Sequence, residues 1–282
     1  MKYHAGARLL IIGPMKQASR HILLTLVLAT LTIVNAGAQV DLNERVLTNA
    51  VDFIDTPYRA HTLDIFVDHE ELVANCDEVD CITFVEYVMA LTLAYKPGEE
   101  IQEWDFLQWL RQIRYRDGEI DGYSSRLHYI TDWAENGIRG GWLADITAQN
   151  RRYKQTISLN YMSTHPELYP QLAASNDEVS KMREVEQRLI GTEVVYLPED
   201  DDALPHNGLP WIKGGDILAF TTDIPGLDVA HMGIALYVDG KLTMIHASSV
   251  EKKVTVSRVS VAQMLANNSH WTGIRVFRLK SE

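Results

Sequence analysis

The chain has 282 residues, 46% of them hydrophobic, and carries 38 acidic against 26 basic side chains, a formal net charge of −12. That balance argues against a nucleic-acid binder, and the apolar content is sufficient for one substantial core. The chain has two cysteines, Cys76 and Cys81, too few for a disulfide framework.

A short basic segment runs from Met15-Lys16 to Arg20, followed by an uncharged apolar run over 22–34 and then Ala36-Gly37-Ala38. This is the pattern of a secretory signal cleaved after Ala38, with translation starting at Met15. The apolar run is short for a membrane span, so no span is expected after cleavage. Loss of residues 1–38 removes four basic and no acidic residues, leaving 22 basic against 38 acidic, a net of −16. The expectation is an exported, periplasmic protein with one catalytic domain over 39–282, monomeric and without cofactor or metal.

Residues 41–54 space Val46, Leu47, Ala50, Val51 and Ile54 as an amphipathic helix, stopped by Asp55-Thr56-Pro57. From Ile82 to Tyr95 the only charged residue is Glu86, which predicts a buried helix ended by Lys96-Pro97-Gly98. An insertion of largely helical character is expected at about 99–195. Its first helix carries Trp104, Phe106, Leu107, Leu110 and Ile113, and a second is expected over 125–136 with Gly137 as its C-cap. Two more patterns cover 166–189 and divide near Ser175-Asn176, and Asp200-Asp201-Asp202 and Pro205-His206-Asn207-Gly208 mark an exposed loop. From Gly215 the period falls to two. Strands are predicted over 216–221, 231–238, 241–248, 253–257 and 273–279, with a short helix near 259–267. Helices first and an antiparallel sheet second is an α+β order.

Asp80 is a good N-cap for the buried helix, and it places Cys81 at the positive end of the helix dipole. A thiol there is expected to have a lowered pKa and to act as a nucleophile if a base lies nearby. The alternatives are a small buried hydrophobe, or a Cys76–Cys81 bridge closing a very small loop. A zinc knuckle lacks a second ligand pair. Asp239-Gly240 is a strong hairpin turn. Pairing outward from it sets Ala235 opposite Met244 and Gly233 opposite His246, so His231 and His246 share a face as diagonal neighbours, with small residues leaving room for a further element. A thiol at a helix start, a histidine base and a second polar group orienting that base form a cysteine-peptidase arrangement. On the helix expected over 125–136, Arg126, Tyr129 and Trp133 lie at i, i+3 and i+7, with His128 near that face. They are read as one wall of a cleft. The alternative reading has Arg126 paired with an acidic neighbour, and Tyr129 and Trp133 packed in the core.

With these motifs in place, the chain resembles the NlpC-type, papain-like cell-wall cysteine hydrolases. The resemblance is carried by Pro57-Tyr58, Asp80-Cys81, Gly215-Asp216, His231-Met232-Gly233-Ile234 and His246-Ala247-Ser248. It departs in having Ile82-Thr83-Phe84-Val85-Glu86 after the cysteine in place of Ser-Gly, and in the long insertion. Those departures, with Arg126-Leu127-His128-Tyr129, Trp133 and Gly226-Leu227-Asp228-Val229-Ala230-His231, are similar to a sister family of N-acetylmuramoyl-L-alanine amidases. The resemblance implies a papain-like sheet packed on the nucleophile helix, and a muropeptide or anhydro-muropeptide substrate cut between the muramic acid and L-alanine. It also implies Cys81 as nucleophile, His231 as base, His246 as orienting group and Tyr58 at the oxyanion, with Arg126, His128, Tyr129 and Trp133 toward the sugar. An endopeptidase cutting D-glutamyl-diamino acid bonds and a non-catalytic wall-binding protein remain the alternatives.

Overall fold

The computed structural model describes residues 41–150, 153–199 and 203–280; the export signal and the triple-aspartate loop expected from the sequence lie outside them. Helix α1 (Leu42–Asp52) starts at Asp41, whose carboxylate accepts the Asn43 N–H at 3.0 Å, and it buries Val46 and Ala50. Helix α2 (Cys81–Ala94) opens with a capping box. The Asp80 carboxylate accepts the Ile82 and Thr83 N–H groups at 3.1 and 2.8 Å, while Thr83 Oγ1 accepts the Asp80 N–H at 2.9 Å. Ten of the fourteen positions of α2 are buried and none is exposed, as suits an all-round apolar helix. Each fully buried Phe, Val or Met contributes about 1.5–3 kcal/mol relative to exposure. Helix α3 (Glu103–Arg114) packs beside it through Phe106, Leu110 and Ile113.

The next helix departs from expectation. Helix α4 spans Ile130–Arg139, not 125–136, and ends at Gly140; Gly137 lies inside it beneath the Trp142 ring. Residues 126–129 are instead tied to the end of α3, with Arg126 bridged to Tyr115 and the Leu127 N–H donating to the Arg114 carbonyl at 2.8 Å. The start of α4 is held from a distance, because the Asp228 carboxylate accepts the Thr131 N–H at 2.6 Å. Strand β1 (Leu143–Asp145), helix α5 (Ile146–Asn150), strand β2 (Lys154–Thr156) and the short helices α6 (Tyr161–Thr164) and α7 (Pro170–Ala174) follow. Helix α8 (Asn176–Leu189) is capped by Ser175, as the predicted division required. Strands β3 (Glu193–Val195) and β4 (Leu197–Pro198) complete the insertion, so it is not purely helical: β2 and β3 pair with each other, and β1 and β4 pair with the last strand of the main sheet.

The main sheet adds β5 (Ile217–Thr222), β6 (Val229–Val238), β7 (Lys241–Ser248), β8 (Lys253–Val256) and, after helix α9 (Val261–Ala266), β9 (Trp271–Leu279). Their order is β1-β9-β5-β6-β7-β8, and every pairing is antiparallel. The class is α+β. Alternation along β5 sends Ile217 and Ala219 to the α2 side and Leu218 and Phe220 to the other, where α9 covers them. The insertion has its own cluster, including Leu159, Met162, Met182 and Leu189.

The Gly215-Asp216 motif is explained by packing. A Cβ on Gly215 would lie 2.3 Å from the Asn43 carbonyl oxygen, and its φ is +86°, so glycine lets α1 approach the start of β5. Asp216 then accepts from Arg278 Nε at 2.6 Å and from Asn43 Nδ2 at 2.9 Å, pinning α1 and β9 together.

Candidate active site

The hairpin register is the one the turn predicts, with Val238 opposite Lys241 and Ala235 opposite Met244. It brings His231 Nε2 to 2.8 Å from His246 Nδ1. The rings meet edge-on at 5.1 Å, and that bond leaves Nδ1 of His231 available for a different partner. The small residues of β6 serve another purpose than expected. Gly233 makes room for Met244 and His246 of β7, while α2 packs on the opposite face through Met232 and Ile234. Immediately before His231 the β5–β6 register shifts between Phe220↔His231 and Thr221↔Val229, and a bulge of this kind re-aims the neighbouring side chain. The sequence reading missed Trp271, whose ring lies parallel to His231 at 5.5 Å. Its position depends on β5 pairing with both β6 and β9, which no local spacing reveals.

Cys81 is the first residue of α2, and the backbone N–H groups of Met232, Cys81 and Ile82 are disposed to favour its anion. Tyr58 is tied to this corner by its bridge to Val79, and its phenol senses both Cys81 and Asp80. Cys76 and Cys81 are both free thiols, so the bridge considered from sequence is not formed. The expected thiolate is not the resting species either. Burial, reinforced by the Asp80 charge, pushes the Cys81 thiol up to about 12 against the three N–H groups that favour the anion. Burial pushes His231 down to about 3, with His246 adding to the effect, and pushes His246 down to about 4. The thiol and both imidazoles are therefore neutral at rest.

A cavity of about 290 Å³ opens beside this corner. The α2 residues Ile82, Thr83 and Glu86 line it together with Arg126, His128 and Tyr129. Arg126 is held by bidentate bonds to Glu70 at 2.8 and 2.9 Å and a further bond to Asp64 at 3.2 Å, so the acidic-neighbour alternative describes it, although it also lines the cavity. His128 donates through Nε2 to the Tyr123 carbonyl at 3.0 Å, which leaves Nδ1 as an acceptor, and burial pushes its pKa down to about 3. The Tyr129 hydroxyl donates to Glu186 at 2.7 Å and accepts the Met162 N–H at 3.1 Å. Trp133 does not join the cavity. It is 1% exposed and packs edge-on against Trp142 and Phe277 in the core. The single helical face proposed for 126, 129 and 133 is thus absent, because 126 and 129 precede α4. Among the described residues no group of three or more His, Cys, Asp or Glu is placed to hold a metal ion, and no helix is long and apolar enough to cross a membrane.

Comparison with known proteins gives the site a context. A crystal structure of an N-acetylmuramoyl-L-alanine amidase from Bacteroides uniformis is 55% identical, covering 85% of this chain and 99% of that one, with a TM-score of 0.82. A Bacteroides fragilis protein provisionally called a xylanase is also 55% identical, covering 82% and 99%, with a TM-score of 0.79. A Legionella pneumophila protein shares the fold at 20% identity and a TM-score of 0.63, covering 86% of this chain and 90% of that one. None of the curated proteins matches the chain. The family model described as AmiA-like, N-acetylmuramoyl-L-alanine amidase-like, matches residues 49–274, and the chain belongs to that family.

Proposed function

We propose that the chain is a cysteine-dependent amidase of peptidoglycan fragments, exported to the periplasm and related to the NlpC-type papain-like hydrolases. On this reading it cleaves the amide between muramic or anhydro-muramic acid and L-alanine. The observation that carries the mechanism is the 2.8 Å His231–His246 bond, in a chain whose helix-start thiol is favoured as an anion by the backbone N–H of Met232, the residue after His231. Cys81 Sγ attacks the amide carbon, and His231 takes the thiol proton as the bond forms, since neither group is charged at rest. The developing oxyanion is met by the Cys81 N–H and the Tyr58 hydroxyl. His231 then returns the proton to the leaving amine of alanine, leaving a thioester. Water attacks the thioester, His231 accepts its proton, and the lactyl carboxylate and the thiol are released.

A glycosidase reading fits poorly, because it requires two carboxylates free to act across a glycosidic bond. Each cavity carboxylate is already committed through at least one oxygen: Asp64 by Arg126, Asp80 by the α2 N–H groups, Glu86 by Arg114 and Asp228 by the Thr131 and Val229 N–H groups. Mass spectrometry of muropeptides incubated with the protein tests the proposal. Free stem peptide beginning with L-alanine is expected; trimmed stems would identify an endopeptidase, and an unchanged digest would identify a binding protein.

A further inference from the structure

Glu86 is the only charged residue in α2 and is 3% exposed. Its Oε2 accepts from Arg114 Nε at 2.8 Å, and Arg114 is itself 1% exposed and donates onward to the Val73 carbonyl. Two charges have thus been taken out of water inside an otherwise apolar layer. Such a pair contributes little net stability, since apolar residues of similar volume usually serve a core as well or better. Stability therefore gives no reason for this pair, but its location does. Glu86 lies one turn along α2 from Ile82 and lines the cavity beside the nucleophile, and the described residues give its second oxygen, Oε1, no hydrogen-bond partner. Arg114 fixes one oxygen from behind, which leaves the other as a preoriented acceptor.

The rest of the cavity has the same polarity. Asp64, Asp80 and Asp228 join Glu86 in its lining, while among the described residues Arg126 is the only arginine or lysine there and is already bound by Glu70 and Asp64. His128 contributes a further acceptor through Nδ1. An acceptor-rich, net-negative wall attracts neutral hydrogen-bond donors and repels anions.

We propose that Glu86 is a substrate-binding carboxylate of this site, its Oε1 accepting a hydrogen bond from a neutral hydroxyl or amide N–H of the substrate and excluding anionic groups from the cavity. The inference rests on the amidase reading, which supplies a substrate with one neutral, donor-rich half and one half bearing carboxylates. Arg114 is a positioning residue that acts through Glu86.

The test compares wild type, Glu86→Gln and the double variant Glu86→Leu/Arg114→Met on N-acetylmuramoyl-L-alanyl-D-isoglutamine and its anhydro-muramoyl counterpart. It records kcat, KM, the thermal midpoint and the alkylation rate of Cys81 by iodoacetamide, read by peptide mass spectrometry. Glu86→Gln keeps an acceptor for Arg114 but turns a donor toward the cavity. It is expected to lower kcat/KM by about tenfold to a hundredfold, the range for loss of a charged hydrogen bond, with Cys81 alkylated at the wild-type rate. The double variant removes both charges together, so its midpoint is expected to equal or exceed that of wild type while kcat/KM stays depressed. Recovery of wild-type kinetics in the stable double variant would show that the pair is structural and overturn the proposal. Absence of cleavage by wild type on both substrates would instead overturn the amidase reading.

Discussion

The corner built from the start of α2 and the β6–β7 hairpin differs from the insertion in how its residues find one another. At the corner, the positions of Cys81, His231 and His246 follow from short-range rules: a cap at Asp80, a turn at Asp239-Gly240 and a side-chain period of two. In the insertion, Arg126 meets Glu70 and Asp64, Tyr129 meets Glu186, and α4 is capped by Asp228, all across more than fifty positions of chain. Local signals place a residue well when its partners are a few positions away. They fail when the conformation is chosen by partners brought in from elsewhere, and the start of α4, five residues later than expected, is such a case.

Substitutions test whether the corner is chemical and the insertion mainly architectural. The largest effect is expected at the proposed nucleophile: Cys81→Ala should lower kcat by roughly a millionfold, as nucleophile deletions do, while Cys76→Ala leaves turnover largely intact. The reverse pattern in a muropeptide hydrolysis assay would remove Cys81 from its role. Next comes the core of the insertion. Trp133→Ala should destabilise the fold by about 3–5 kcal/mol in denaturant titration, with ordinary kinetics in the protein that stays folded. Arg126→Ala strands Glu70 in a buried site and should cost a similar ~3–5 kcal/mol; because Arg126 also lines the cavity, KM should rise as well, and an unchanged KM would make it purely architectural. Tyr58→Phe should reduce kcat by about a hundredfold to a thousandfold without altering the thermal midpoint, and a normal kcat would mark the tyrosine as packing.

The smallest effect concerns pH and joins both regions. His128 and His231 are held near 3 and His246 near 4, below the ordinary histidine value of 6.5, by burial. The unfolded chain therefore binds more protons than the folded one between those values, and stability from these groups is present above about pH 6.5 and lost as pH falls toward 4. Burial raises Asp228 and Glu86, which act with the opposite sign, so the informative measurement is a difference. His128→Asn should lose stability less steeply than wild type between pH 6.5 and pH 4 in denaturant titrations. Parallel slopes would mean that His128 already carries a proton in the folded protein.

Much of the fold was legible because its elements are strongly patterned. The apolar run of α2, the strands after Gly215 and the Ser175 division between α7 and α8 all stand where the sequence puts them. The short strands β1 and β4 were not legible. Two- and three-residue segments have no period of their own, and they become strands only because β9 offers them hydrogen bonds.

Capping and side-chain alternation need only neighbouring residues, and they alone put a thiol at the start of a capped, buried helix and two histidines on one face of a hairpin. Tertiary structure decided the ionisation of those groups. The helix start favours a thiolate, but enclosure under the sheet and beside Asp80 leaves a neutral thiol, because desolvation outweighs three backbone N–H groups. It also decided that Trp133 belongs to the core and that Trp271 lies on His231. Glu86 faces a cavity for the same reason: whether a side chain is enclosed, and by what, is a property of elements far apart in the chain.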